Sequence, residues 1–173
     1  MSNEMINSID LSVDDKKGIA SRIAAVNELL KEKSETNGFG NVRFMRQEYC
    51  RISKHSRGRS MMIFDQETKN AFSELADLES LALSGFGRMV RQLASSFYLT
   101  YKSTRPHLDE CDYIQEASWA IFDAVHCYDG SAQMSTYFYA SVKRRLAGFI
   151  RSEEIHSGIG RPTKVIRAKI REI

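Results

Sequence analysis

A chain of 173 residues has room for one domain of ordinary size, and 42% hydrophobic with 27% charged residues suits a globular protein that can bury a core. No apolar run approaches the roughly 18 residues that read as a bilayer span, and the start MSNEMINSID lacks the apolar segment of a signal peptide. A cytoplasmic protein with no membrane partner is expected, and the net charge of +3 is too small to exclude any partner.

With only two prolines, Pro106 and Pro162, little interrupts helix formation. A first helix is predicted from Val13 to Lys33, where Ile19, Ile23, Val26 and Leu30 recur at helical spacing, and SETNGFGN (34–41) ends it with turn chemistry. The stretch from Val42 to Phe64 shows no clean period and reads as loop, with a candidate short strand at 60–64. Helical pattern resumes with Phe72, Leu75, Leu78 and Leu81, and again with Phe86, Val90, Leu93 and Phe97; Gly85 and Gly87 mark a break between the two. KSTRPHLDE (102–110) leads into a helix ending near Tyr128, DGSAQ (129–133) is a turn, and another helix runs from Met134 to about Glu153. SGIGRP (157–162) then precedes a short C-terminal helix. The expected fold is an all-α helical bundle with an N-terminal helix and a short C-terminal helix. Its divisions are an N-terminal helix with a basic segment (1–65), a helical domain (66–156) and a basic tail (157–173).

Charge is zoned along the chain. From Asn41 to Phe64 the only acid is Glu48, against Arg43, Arg46, Arg51, Lys54, Arg57 and Arg59. Beyond Gly160, Arg161, Lys164, Arg167, Lys169 and Arg171 face only Glu172, whereas Asp109, Glu110, Asp112, Glu116 and Asp123 form an acidic block. Such zoning suits two kinds of partner, one of them polyanionic; ordinary solvated surface charge is the alternative. For the 42–64 stretch two readings stay open, a surface against a nucleic acid or protein partner and a plain arginine-rich loop.

Cys50, Cys111 and Cys127 form no framework and fit a reducing compartment. The pairs His107–Cys111 and His126–Cys127 would lie about 24 Å apart on one helix, too far to share a tetrahedral ion. No metal or other cofactor is expected. Nor is catalysis, since no glycine-rich phosphate loop, metal-ligand set or nucleophile motif occurs.

On a wheel of about 100° per residue, the helix near 108–128 places Ile114, Ala117, Ile121, Ala124, Val125 and Tyr128 on its apolar side. Asp112, Gln115, Glu116, Asp123 and His126 stand opposite, with Trp119, the only tryptophan, in their midst. An outward tryptophan ringed by carboxylates suits a basic protein partner; packing of Trp119 against the N-terminal helices is the alternative. In the next helix Tyr139, Val142, Leu146, Phe149 and Ile150 form the apolar stripe. Tyr137, Arg144 and Arg151 recur every seven residues on the other side, with Ala140, Ser141 and Gly148 between them and Met134 and Arg145 to one flank. Small residues between arginines let a polynucleotide backbone lie close, and a tyrosine offers a stacking surface for an unpaired base. The alternative is an ordinary solvated face.

The stretch DYIQEASWAIFDAVHCYD followed by MSTYFYASVKRRLAGFIR resembles the second conserved region of bacterial sigma factors of the sigma-70 family. Asp112, Ile114, Gln115 and Glu116 match the family's acidic motif, Tyr128 and Asp129 its aromatic-aspartate pair, and Ser135, Thr136 and Tyr137 its F-S-T-Y motif. MVRQLASSFY (89–98) resembles the preceding helix, and GRPTKVIRAKI the start of the third region. The resemblance covers about 70 residues. It implies a non-catalytic initiation factor with a bundle of the sigma region 2 type. Asp112, Gln115, Glu116, Trp119 and Asp123 would dock on the clamp coiled coil of the beta-prime subunit of core RNA polymerase. Tyr137 would stack on a base extruded from the non-template strand of a −10-like promoter element, with Thr136 and Met134 lining the pocket. Lys143, Arg144, Arg145 and Arg151, with Arg161 and Lys164 in the tail, would hold DNA.

Departures bear on that implication. Met134 stands where phenylalanine is usual and Phe138 where a small alanine is. Ala140 and Ser141 replace the aromatic pair that wedges the duplex, and Arg144 replaces a glutamine. Weak melting and an unusual base preference follow. No fourth region to read a −35 element follows Ile173, so the resemblance implies a short factor of the bacteriophage type acting in the host cytoplasm at late promoters, with a co-activator as an open further partner. A polymerase-binding regulator that does not open DNA (an appropriation factor or inhibitor) and a generic helical DNA-binding protein are the competing readings.

Overall fold

The computed structural model describes residues 12–39, 41–55 and 64–156. They form α1 (Val13–Thr36), α2 (Val42–His55), α3 (Gln66–Tyr101), α4 (Glu110–Cys127) and α5 (Met134–His156), with no strand among the described residues. The all-α expectation holds. The predicted C-terminal helix, including Arg161 and Lys164, and positions 60–63 of the candidate strand lie outside the described residues.

α1 starts at a reciprocal cap, the Asp15 amide donating to Ser12 Oγ and the Ser12 amide to Asp15 Oδ2, both at 3.1 Å. Its buried stripe is Ile19, Ile23, Val26 and Leu30, as the periodicity predicts. Lys33 near its end pairs with Asp65 and Glu67 at the start of α3, which raises the lysine's pKa well above its ordinary value, the Glu67 contact contributing most. α1 shares one core with α3, α4 and α5, across the expected division at residue 65.

The 42–55 stretch is a helix, not the expected loop. Val42 is half-buried, and Met45, Tyr49 and Ile52 turn inward at spacings of four and three, while Asn41 Oδ1 accepts from the Phe44 amide at 2.8 Å. The ring of Tyr49 stacks on Phe72 at 4.5 Å and meets Phe64 edge-on at 5.5 Å. These contacts fasten α2 to the start of α3.

α3 runs through Gly85 and Gly87 without the predicted break. A glycine costs a helix roughly 1 kcal/mol relative to alanine. Here that cost is outweighed, because Phe86, Gly87 and Val90 are buried between α1, α4 and α5 and fix the backbone from outside. The resulting 36-residue helix, about 54 Å long, is the element on which α1, α4 and α5 pack.

α4 and α5 form an antiparallel pair joined by residues 128–133. Asn27 of α1 donates through Nδ2 to the Val125 and Tyr128 carbonyls at 2.7 and 2.8 Å, satisfying the open end of α4. Gly130 turns the loop at φ 80°, and a Cβ there would come within 3.2 Å of Ala24 Cβ. The Tyr128 hydroxyl donates to the Ala132 carbonyl at 2.7 Å, and Asp129 Oδ1 accepts from the Ser131 hydroxyl and amide. The loop therefore holds the two helices in a fixed relation.

Candidate functional site

α5 buries Met134, Phe138, Val142, Leu146 and Ile150, each four residues after the last. Four residues advance about 400°, so this stripe moves some 40° around the helix per step. At its start Phe138 meets Phe86 of α3 edge-on at 5.1 Å, and beside its end the half-buried Phe149 meets Tyr113 of α4 at 5.6 Å. Two expectations are corrected by this path. Tyr139, placed in the apolar stripe, is 44% exposed with the Lys143 ammonium 5.7 Å from its ring centroid. Met134, placed in a base pocket, is buried as the first residue of the stripe.

The opposite side of α5 behaves as its spacing predicts. Tyr137, Arg144 and Arg151 line one groove of about 710 Å³ between α4 and α5, with Ser141 and Gly148 in its wall. A Cβ added at Gly148 would meet nothing within 4 Å, so the groove is open there. Arg144 and Arg151 are exposed, as are Thr136 and Lys143. Neither Arg144 nor Lys143 forms an ion pair among the described residues. Arg151 donates to the Ala147 carbonyl at 3.1 Å.

Tyr137 is half-buried rather than fully exposed. Its ring lies 5.5 Å from that of Tyr128, and its hydroxyl reaches the Cys127 carbonyl at 3.4 Å. Burial pushes its phenol above the ordinary tyrosine value, Cys127 and Asp129 add to this, and Arg144 opposes it. The ring is thus neutral at physiological pH, with one edge anchored and the rest in the groove.

On α4 Trp119 turns outward as the wheel places it: it is 51% exposed and touches only Phe122 among aromatic rings, edge-on at 5.8 Å. It does not fold against the N-terminal helices. Gln115 is exposed beside it. The neighbouring carboxylates are all engaged within the chain. Asp112 is the third residue of a capping box: it accepts from the Asp109 amide at 2.9 Å, and Asp109 accepts from its amide at 3.0 Å. Glu116 and Asp123 are both held by Arg145, through Nε at 2.7 Å and Nη1 at 2.8 Å.

Arg145 is therefore corrected. Expected to one flank of the Tyr137–Arg144–Arg151 line as a DNA contact, it lines the same groove, but its guanidinium is already engaged by Glu116 and Asp123 of α4. His126 is corrected too: placed on the outer polar side, it meets Glu79 of α3 and Arg46 of α2, and its side chain is 14% exposed. Arg46 donates to Glu79 Oε1 at 2.7 Å. Sequence reasoning missed these contacts between helices because only the packed bundle brings the partners together. The capping box was readable, since Asp109 and Asp112 stand three apart ahead of an apolar run.

The site is thus a hairpin that turns Trp119 outward on α4 and holds, between α4 and α5, a groove walled by Tyr137, Arg144 and Arg151 together with Arg145 and the two carboxylates it meets, Glu116 and Asp123. Comparison with models of known families, with curated proteins and with solved structures finds no match to this chain.

Proposed function

We propose that this chain is a sigma-type transcription initiation factor, a bundle of the sigma region 2 type that joins core RNA polymerase to a −10-like promoter element. The observation that carries the reading is the placement of Tyr137, Arg144 and Arg151 along one open groove of the same hairpin that turns Trp119 outward. Long cations around small residues suit a single strand, whose phosphates bind arginine and whose bases stack on an aromatic ring. A half-exposed tryptophan beside Gln115, Glu116 and Asp123 suits a basic protein surface, the clamp coiled coil of the beta-prime subunit. Thr136 and Lys143 flank the groove; Arg161 and Lys164 belong to the proposal through the sequence resemblance alone.

On this reading the chain acts in the cytoplasm of a bacterial host, is phage-encoded, and supplies no catalysis of its own. The half-burial of Tyr137 favours one second reading, a polymerase-binding regulator that keeps the α4 surface but leaves DNA closed.

The test is a pull-down with bacterial core RNA polymerase followed by runoff transcription on the cognate genome. The proposal expects retention of the polymerase and new transcripts that depend on the chain. Retention without transcripts supports the regulator instead, and absence of retention overturns both.

A further inference from the structure

The α4–α5 groove has two unlike walls. On the α5 side Arg144 forms no ion pair among the described residues, and Arg151 donates to the Ala147 carbonyl. Toward α4, the one guanidinium of Arg145 lies between the carboxylates of Glu116 and Asp123, so that wall keeps a net negative charge. Resting on the reading that the groove holds a single strand, we propose that Asp123 and Glu116 select its bases. The groove takes bases that carry an exocyclic amino group (adenine, cytosine and guanine) in preference to thymine or uracil.

The charge split sets the orientation of the strand. Phosphates are drawn to Arg144 and Arg151 and repelled from the carboxylates, so the backbone runs along α5 and the bases turn toward α4. Ala120, Ala124, Ser141 and Gly148 line the groove between the two walls and leave room for the rings. Trp119 lies outside the groove, so a protein can dock there while a strand is bound.

The chemistry of the α4 wall then meets the base edges. Arg145 holds Glu116 through Oε2 and Asp123 through Oδ2, and the second oxygen of each carboxylate accepts no hydrogen bond among the described residues. An ionised carboxylate only accepts, so it favours a base with amino hydrogens to donate. Thymine and uracil present two carbonyl oxygens on either side of their one N–H, and the wall repels both. Asp123 is the more open acid, with 71% side-chain exposure against 26% for Glu116. It lies one helical turn before Cys127, whose carbonyl the Tyr137 hydroxyl reaches, which places it next along the wall from the base on Tyr137.

The experiment measures fluorescence anisotropy of oligodeoxycytidine and oligodeoxyuridine of about six nucleotides, the length that fits the roughly 21 Å from Tyr137 to Arg151. The full chain is used alone and bound to bacterial core RNA polymerase. The two bases have the same ring size and differ at the amino group, so stacking and phosphate contacts are shared. The cytosine strand is expected to bind tighter on the order of tenfold. Asp123→Ala should bring the two affinities together, and Asp123→Asn, which keeps the shape but adds a donor, should do the same. Glu116→Gln should narrow the difference less. Arg144→Ala should weaken both strands and leave their ratio alone.

Equal binding of the two strands by the unaltered chain, with Arg144→Ala still effective, overturns the selection and leaves the proposed function standing. A ratio untouched by all three acid variants overturns it as well, because the preference then arises elsewhere. A preference that vanishes on the polymerase gives both acids to the clamp and also overturns it. No binding of either strand in either form overturns both the selection and the groove.

Discussion

The outward surfaces of α4 and α5 carry opposite charge, but they differ more in how far that charge is already used. On α5, Arg144 and Lys143 form no ion pair among the described residues, and Tyr137 keeps part of its ring in an open groove. On α4, Asp112 caps its own helix and Arg145 holds Glu116 and Asp123, leaving Trp119 and Gln115 as the uncommitted side chains. A partner of α5 meets ready donors. A partner of α4 must exchange with an internal arginine, so the net gain from each charge there is a difference between two ion pairs. The energy of docking on α4 then rests mainly on the tryptophan.

The largest expected effect comes from removing what both surfaces rest on. Phe138 is fully buried against Phe86 and Tyr128, and Phe138→Ala should cost about 3–5 kcal/mol in urea unfolding and abolish both interactions. A loss below about 1 kcal/mol would mean the two helices are not held from beneath in this way.

Trp119→Ala should separate the surfaces. Polymerase binding is expected to fall by about 2 kcal/mol, roughly thirtyfold, with melting behaviour and oligonucleotide binding unchanged. Equal binding by the variant would remove the anchor from the α4 reading.

Asp112→Ala should act on stability first, costing on the order of 1 kcal/mol through the lost capping box. Guanidinium or urea midpoints check this. It follows that a binding defect in an Asp112→Ala, Glu116→Ala double variant needs the folded fraction measured beside it.

Arg145→Gln tests the internal exchange directly. The Asp123 pair is exposed and the Glu116 pair is half-buried, so stability should fall by no more than about 1 kcal/mol. Polymerase binding should tighten once Glu116 and Asp123 are released. Weaker binding would show instead that Arg145 itself faces the partner.

The smallest effect is spectroscopic. The Tyr137 phenol ionises above the ordinary tyrosine value and Arg144 opposes that rise, so Arg144→Ala should move its alkaline titration further up. The Tyr137→Phe difference spectrum identifies the signal. Because the folded value is the higher one, this contribution to stability is complete below about pH 10 and is lost as pH rises toward the folded value.

What the sequence disclosed follows from where each signal lies. α1 and α4 were legible because apolar spacing and end signals coincide within each segment, and Trp119 and the Tyr137–Arg144–Arg151 line came from the same wheel. α2 was hidden by composition, its arginines obscuring the inward Val42, Met45, Tyr49 and Ile52. The Gly85–Gly87 break failed because packing overrode local propensity. On α5 a fixed wheel exchanged Tyr139 for Phe138, since the buried stripe drifts around the helix. The roles of Arg145 and His126 depend on partners 22 to 80 positions away, which no local pattern reveals.

The central claim is tested most directly by transcription from the cognate genome with core polymerase and either Tyr137→Ala or Trp119→Ala. The account predicts that Tyr137→Ala is retained by the polymerase but yields no open complex, while Trp119→Ala fails at retention. Full transcription by Tyr137→Ala from every promoter would contradict it.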